Sequence, residues 1–136
     1  MAMKFGNAET ERIYADFFKP AVEKTGFELR RNDEGQPAGL IDDLMRVQIR
    51  QSRFVISDLT DHSNGAYWEA GYAEGLGKPV IYTCRTDHFD NPDKGAHFDT
   101  NHHLTVRWHP DDMESAVKKL KATIRATLVE DAVQDV

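Results

Sequence analysis

Residues 53–84, Arg-Phe-Val-Ile-Ser-Asp-Leu-Thr-Asp-His-Ser-Asn-Gly-Ala-Tyr-Trp-Glu-Ala-Gly-Tyr-Ala-Glu-Gly-Leu-Gly-Lys-Pro-Val-Ile-Tyr-Thr-Cys, decide the fold. An apolar run ends in Asp58, a polar turn follows, Glu69 stands early in a helix rich in small residues, and a second apolar run begins at Pro79. Strand, polar loop, helix and strand make a parallel crossover unit, and ligands of such sheets bind beyond the carboxyl ends of the strands. The pattern predicts that Asp58 and Glu69 both reach the end of the sheet where an α/β domain does its chemistry.

Outward from this unit, Ala2 to Phe5 reads as the end of a short strand, stopped by Gly6 and Asn7. Ile13, Phe17, Ala21 and Lys24 follow helical spacing over 9–24, with Pro20 expected to kink that helix or remove one hydrogen bond and Gly26 to end it. Phe27 to Arg30 is a second short strand, 32–39 a Gly- and Pro-rich loop, and Ile41, Leu44, Met45 and Ile49 mark another helix. Ala66, Ala70, Ala73 and Gly77 give the helix over 66–77 a face almost without side chains. Gly71 and Gly75 each cost it about 1 kcal/mol relative to Ala, which suggests a close backbone approach. A strand over 79–84 is followed by a long loop, 85–103, holding His88, His97, His102 and His103. A strand over 104–108 then leads to a helix whose cap is expected at Asp111, with Glu114 as its N3 partner. That helix runs to Leu128, and a frayed tail is expected over 130–136.

Five strands alternating with four helices predict one α/β domain over 1–129, with an open, three-layer, flavodoxin-like (Rossmann-like) parallel sheet in the order 2-1-3-4-5. The first strand would be central yet has about four residues, so a longer native chain upstream is expected.

The chain has 136 residues, one cysteine and a formal net charge of −6. One cysteine excludes an internal disulfide and suits a reducing, cytoplasmic setting. The acidic balance argues against a nucleic-acid polymer as partner, and no run of about 18 apolar residues predicts a membrane span. A small anionic ligand stays possible, because helix N-termini bind phosphate without a basic surface.

Ile56-Ser57-Asp58-Leu59-Thr60, Tyr67-Trp68-Glu69-Ala70-Gly71-Tyr72-Ala73 and Gly75-Leu76-Gly77-Lys78-Pro79-Val80-Ile81 resemble the nucleoside 2-deoxyribosyltransferase superfamily, which includes hydrolases of nucleoside 5′-monophosphates. The resemblance extends more weakly from Ala2 to Trp108, and His97-Phe98-Asp99-Thr100 looks like a motif of one subgroup. It implies cleavage or transfer at an N-glycosidic bond, with Glu69 as nucleophile and Asp43 contacting base or sugar. Ser63, six residues before Glu69, stands where relatives place an Asp for the sugar hydroxyl or a Ser for phosphate. Met3, Lys4 and Phe5 stand where the family offers a Tyr or backbone groups to the nucleophile, a departure from its pattern. The resemblance implies a small nucleoside or nucleotide substrate, no cofactor, and a homodimer. An alternative within the same fold is a Toll/interleukin-receptor-like domain that binds or cleaves nucleotides or NAD and acts with a fused or partner domain.

The chemistry asked of these residues is plain. Breaking an N-glycosidic bond builds positive charge on C1′, which a carboxylate can stabilise or bond, while a protonated group helps the base depart. Glu69 suits the first role, since an acid on a helix face shared with Tyr72, Ala73 and Leu76 needs a reason; a dipole-favoured Glu near a helix N-terminus is the plainer reading. Asp43 suits the second role, or is a solvated acid of a first helical turn. Asp58 either binds a sugar hydroxyl or caps the turn after its strand. Ser63, Asn64 and Gly65 can cap the helix and bind an anion at once. Asp61, His62 and Ser63 are adjacent and cannot converge as a hydrolase triad. The histidines at 97, 102 and 103, with Asp99, lack a metal-ligand spacing and suit a substrate-covering loop in which His97 and Asp99 approach sugar or phosphate, or simple solvation. Cys84 reads as a small buried apolar residue, and Tyr67 and Trp68 as packing groups.

Overall fold

The computed structural model describes residues 1–4, 6–31, 41–90 and 104–134, without the side chains of residues 41, 42 and 62. Its elements are α1 (Ala8–Ile13), a π-helical segment (Tyr14–Phe18), α2 (Lys19–Glu23), α3 (Ile41–Gln51), β1 (Val55–Asp58), a 3-10 turn (Thr60–His62), α4 (Asn64–Gly75), β2 (Val80–Arg85), α5 (Thr86–Phe89), β3 (Thr105–Trp108) and α6 (Met113–Thr127). No helix among the described residues is long and apolar enough to cross a membrane.

The sheet corrects the sequence reading. Among the described residues it has three parallel strands in the order β1-β2-β3, in place of five in the order 2-1-3-4-5. Val55 pairs with Val80 and Asp58 with Thr83, while Tyr82 pairs with Thr105 and Arg85 with Trp108. Residues 1–4 lie along the free edge of β1 but add one bridge, Ala2 to Ser57, closed by Ala2 N to Ile56 O and Asp58 N to Ala2 O, both 2.8 Å. Beyond it the chain turns at Gly6, at φ +75°, and Asn7 caps α1 by accepting from Glu9 and Thr10 N–H groups. The segment 27–31 forms no ladder. The N-terminal amine donates to Arg30 O and the Tyr14 hydroxyl to Leu29 O, and these isolated bonds do not make a strand.

Pro20 is absorbed by widening the helix. Lys19 N donates five residues back to Tyr14 O, so the turn preceding the proline is π-helical and the missing Pro20 donor is not called upon. Ser63 Oγ caps α4 by accepting from Ala66 N at 3.4 Å. Its end is a Schellman closure, with Gly77 at φ +76° donating to Glu74 O and Lys78 donating to Ala73 O. The cap of α6 is Asp112, which accepts from Ser115 N, and not Asp111: Pro110 and Asp111 form the turn before the helix. One helical turn, α5, occupies the start of the stretch expected as loop, too short to show a period.

Period-two alternation sorts the strands onto two faces. Ile56, Ile81, Val106 and Trp108 pack with Ile13, Phe18, Leu120 and Ile124 from α1, the π segment and α6. Leu59, Tyr82 and Cys84 pack with Ala70, and Val55 with Ala73 and Ile49, under α4 and α3. Ala66, Ala70 and Ala73 are buried as the alanine stripe predicts, whereas Gly71 and Gly75 are exposed, with nothing within 4 Å of the point where a Cβ would stand. Close approach to the sheet is therefore not why α4 carries them. The far end of the chain is docked and not frayed up to Gln134: Ala132 joins the core and Val133 N donates to Thr25 O at 2.8 Å.

Gly26 sets a sharp test of this packing. Its φ is +91° and a Cβ there would stand 2.7 Å from Val133 Cγ2. Gly26→Ala is expected to lower stability by about 2 kcal/mol through left-handed strain plus overpacking, as measured by urea unfolding.

Candidate functional site

The C-terminal ends of β1 and β2 carry the charged residues of interest, and the structure separates two that the sequence placed together. Ser57 Oγ donates to Ala66 O at 2.9 Å, so Ser57 faces α4, and Asp58, one residue on, faces the α1 and α6 side. There Asp58 accepts from Thr60 N at 3.0 Å, Thr83 Oγ1 at 2.6 Å and Trp108 Nε1 at 2.8 Å. It is buried, and burial holds its carboxyl above the usual carboxylate range while the bonds from Thr60, Thr83 and Trp108 pull the other way. Asp58 is a structural acceptor that ties the loop after β1 to β2 and β3. Its side chain stands on the opposite side of the sheet from α4.

Glu69 lies one turn beyond the start of α4, 5% exposed, within the buried stripe of Ala66, Ala70 and Ala73. Asp43 is on α3, its side chain 68% exposed and 3.2 Å from Arg46 Nη1. Asp58 stands across the sheet from the helix that carries Glu69. Ser63 is the helix cap, with Asn64 and Gly65 exposed in the first turn of α4. Met3 is buried in the core. Phe5, His97, Asp99, His102 and His103 lie outside the described residues.

Lys4, a candidate from the sequence, lies at the rim with Asp61, His88 and Arg85, which the sequence reading did not assign to the site. Asp61 adopts φ +59°, the one non-glycine residue with positive φ among those described. Its carboxylate is 3.1 Å from His88 Nδ1 and 3.8 Å from Lys4 Nζ. Arg85 N donates to Thr60 Oγ1, and its guanidinium pairs with Glu9 and Asp87. Asp61 tolerates the left-handed region better than most residues, which is the only local signal for it; its partners come from positions 4 and 88 and are set by tertiary structure. Cys84 is buried on the α4 face, and burial pushes its thiol up to about 12, leaving it unreactive at neutral pH.

Two cavities lined by described residues lie away from this rim. One of about 360 Å³ opens between residues 27–31, the end of α3 and the start of β1, and one of about 770 Å³ lies against α6 beside Phe17. Ligands of parallel sheets bind at the other end of the strands, so strand polarity guides the site here. No group of three or more His, Cys, Asp or Glu residues that could hold a metal ion occurs among the described residues.

No family model, curated protein or solved structure matches this chain.

Asp58→Ala would leave Thr83 and Trp108 with buried donors, and a loss of about 2–4 kcal/mol is expected by denaturant unfolding. Asp58→Asn can keep the two bonds to Oδ2, so it should cost less. Because burial raises the Asp58 carboxyl in the fold, the native chain binds its proton at a higher pH than the unfolded chain does. This group's contribution is therefore fullest at or below the ordinary carboxylate range and declines as pH rises through the folded value. The stability of the wild type relative to Asp58→Asn should be greater near pH ~4.5 than near pH ~7.5.

Proposed function

We propose that this protein cleaves or transfers at the N-glycosidic bond of a nucleoside or nucleotide, with Glu69 as the nucleophile. The observation that carries the reading is the burial of Glu69 in a helix stripe made otherwise of alanine, on the helix that leaves the C-terminal end of β1. Taking a carboxylate out of water costs several kcal/mol, and a positive charge developing on C1′ beside it would be stabilised correspondingly strongly. The residue pattern from Ile56 to Ile81 supports the same reading. A carboxylate at C1′ forms a glycosyl-enzyme that water or a second base resolves, and no cofactor enters.

A panel of nucleosides, nucleoside 5′-monophosphates and NAD, followed by chromatography for free base, tests the proposal. Wild type is expected to release base from at least one of them, and Glu69→Gln to lower that rate by at least ~10³-fold with the thermal midpoint little changed. Folded wild-type protein that releases no base from any of them removes the enzymatic reading. Tight binding without turnover selects the sensor reading instead.

A homodimer belongs to the same proposal. Trp68 is 42% exposed and stacks on Tyr72 at 5.6 Å, with Arg46 and Arg50 over the two rings and the open Gly71 and Gly75 beside them. On one helix face this sets a large aromatic knob seven residues from a glycine hollow, which a second copy can match in both directions. Sedimentation should show a dimer for wild type and a monomer for Trp68→Glu.

A further inference from the structure

The proposed reaction needs an acid for the departing base, and the carboxylate expected to supply it is already engaged. Asp43 is solvent-exposed and paired with Arg46. Asp58 is occupied by three donors on the far face of the sheet.

The rim holds another proton carrier. His88 follows the end of β2 by three positions, and its Nδ1 lies 3.1 Å from Asp61 Oδ1, with the two side chains 15% and 25% exposed. The nitrogen is buried and makes no hydrogen bond among the described residues, so the Asp61 oxygen is the polar atom set against it. Asp61 reaches it from a left-handed backbone at φ +59°. That conformation costs about 1 kcal/mol, and α4 does not require it, because Ser63 is the cap. Lys4 Nζ holds the same carboxylate from another segment at 3.8 Å. A non-glycine residue kept in such a conformation by partners on two other segments is the mark of a site that needs a side chain aimed in one direction. A small rotation of the ring would let Nδ1–H donate to this carboxylate, which would fix the imidazole's orientation and leave Nε2 to exchange protons.

We propose that His88 is the acid–base residue of the N-glycosidic cleavage, with Asp61 as its positioning residue; this rests on the reading in the preceding subsection. In the first step the C1′–N bond breaks, its electron pair passes to the base, the Nε2 proton goes to the base, and a Glu69 oxygen bonds to C1′. In the second, water attacks C1′, its proton returns to Nε2, and the pair of the breaking C1′–O bond goes back to the Glu69 carboxylate. The sum is nucleoside plus water giving base plus sugar, with both residues restored and nothing oxidised or reduced.

The test compares two leaving groups. One substrate is the nucleoside or nucleotide of the panel that wild type cleaves fastest; the others are p-nitrophenyl riboside and 2-deoxyriboside, whose phenolate departs without a proton. The rates compared are those of the first step, read as the pre-steady-state release of base or phenolate: His88→Gln is expected to lose about 10²–10³-fold on the nucleotide and to keep most of its rate on the p-nitrophenyl glycoside. Asp61→Asn, which tolerates the left-handed backbone, should show the same selective loss at smaller size, and it decides the matter should His88→Gln not fold. Equal loss on both leaving groups, or full activity on the nucleotide, overturns the assignment. An inactive Glu69→Gln beside a fully active His88→Gln sinks this inference alone, whereas a wild type inert towards every substrate sinks it together with the reading beneath it.

Discussion

One buried carboxylate holds the C-terminal rim of the sheet together. Asp58 takes a backbone donor from the loop after β1, a hydroxyl from β2 and an indole N–H from β3, so all three strands converge on it. An ionised carboxylate so placed would be costly alone; three donors offset the loss of water, and the low dielectric strengthens each bond. The turn that follows hangs from this node. Thr60 both donates to Asp58 and accepts from Arg85 N, which sets where Asp61 begins and where Ser63 caps α4.

This constraint also decides which acids can act. A strand shows alternate residues to opposite faces, so with Ser57 bonded to α4, Asp58 must face away. The carboxylate that precedes α4 most closely along β1 is thereby kept across the sheet from it. Near the rim among the described residues, Asp61 stands beside both Lys4 and His88, while Arg85 pairs with Glu9 and Asp87.

Much of the framework was legible because it is local. The runs at 55–58, 80–85 and 105–108 and the periodic helices between and after them declare themselves by alternation and by three-to-four spacing. The alternation from Val55 to Asp58 even holds the answer about Asp58, once α4 is known to cover Ser57. The segments expected as strands at 2–5 and 27–30 were not legible, since a ladder depends on distant partners and, among their described residues, only Ala2 finds them. A single turn such as α5 is too short to carry a period. The Asp61–His88 couple joins positions 27 residues apart, and nothing local to either names the other. Glu69 was visible because an acid among alanines breaks a pattern that otherwise runs the length of α4.

The two tryptophans occupy opposite extremes of environment. Trp108 is 1% exposed, its indole bonded to Asp58 at the heart of the strand rim, while Trp68 is 42% exposed and lies against Tyr72 on the outer surface of α4. Their emission should accordingly separate into a component shielded from aqueous quenchers and one open to them. A single optical experiment can then follow the integrity of the strand junction and the state of the outer helix as two independent signals, without any label being attached.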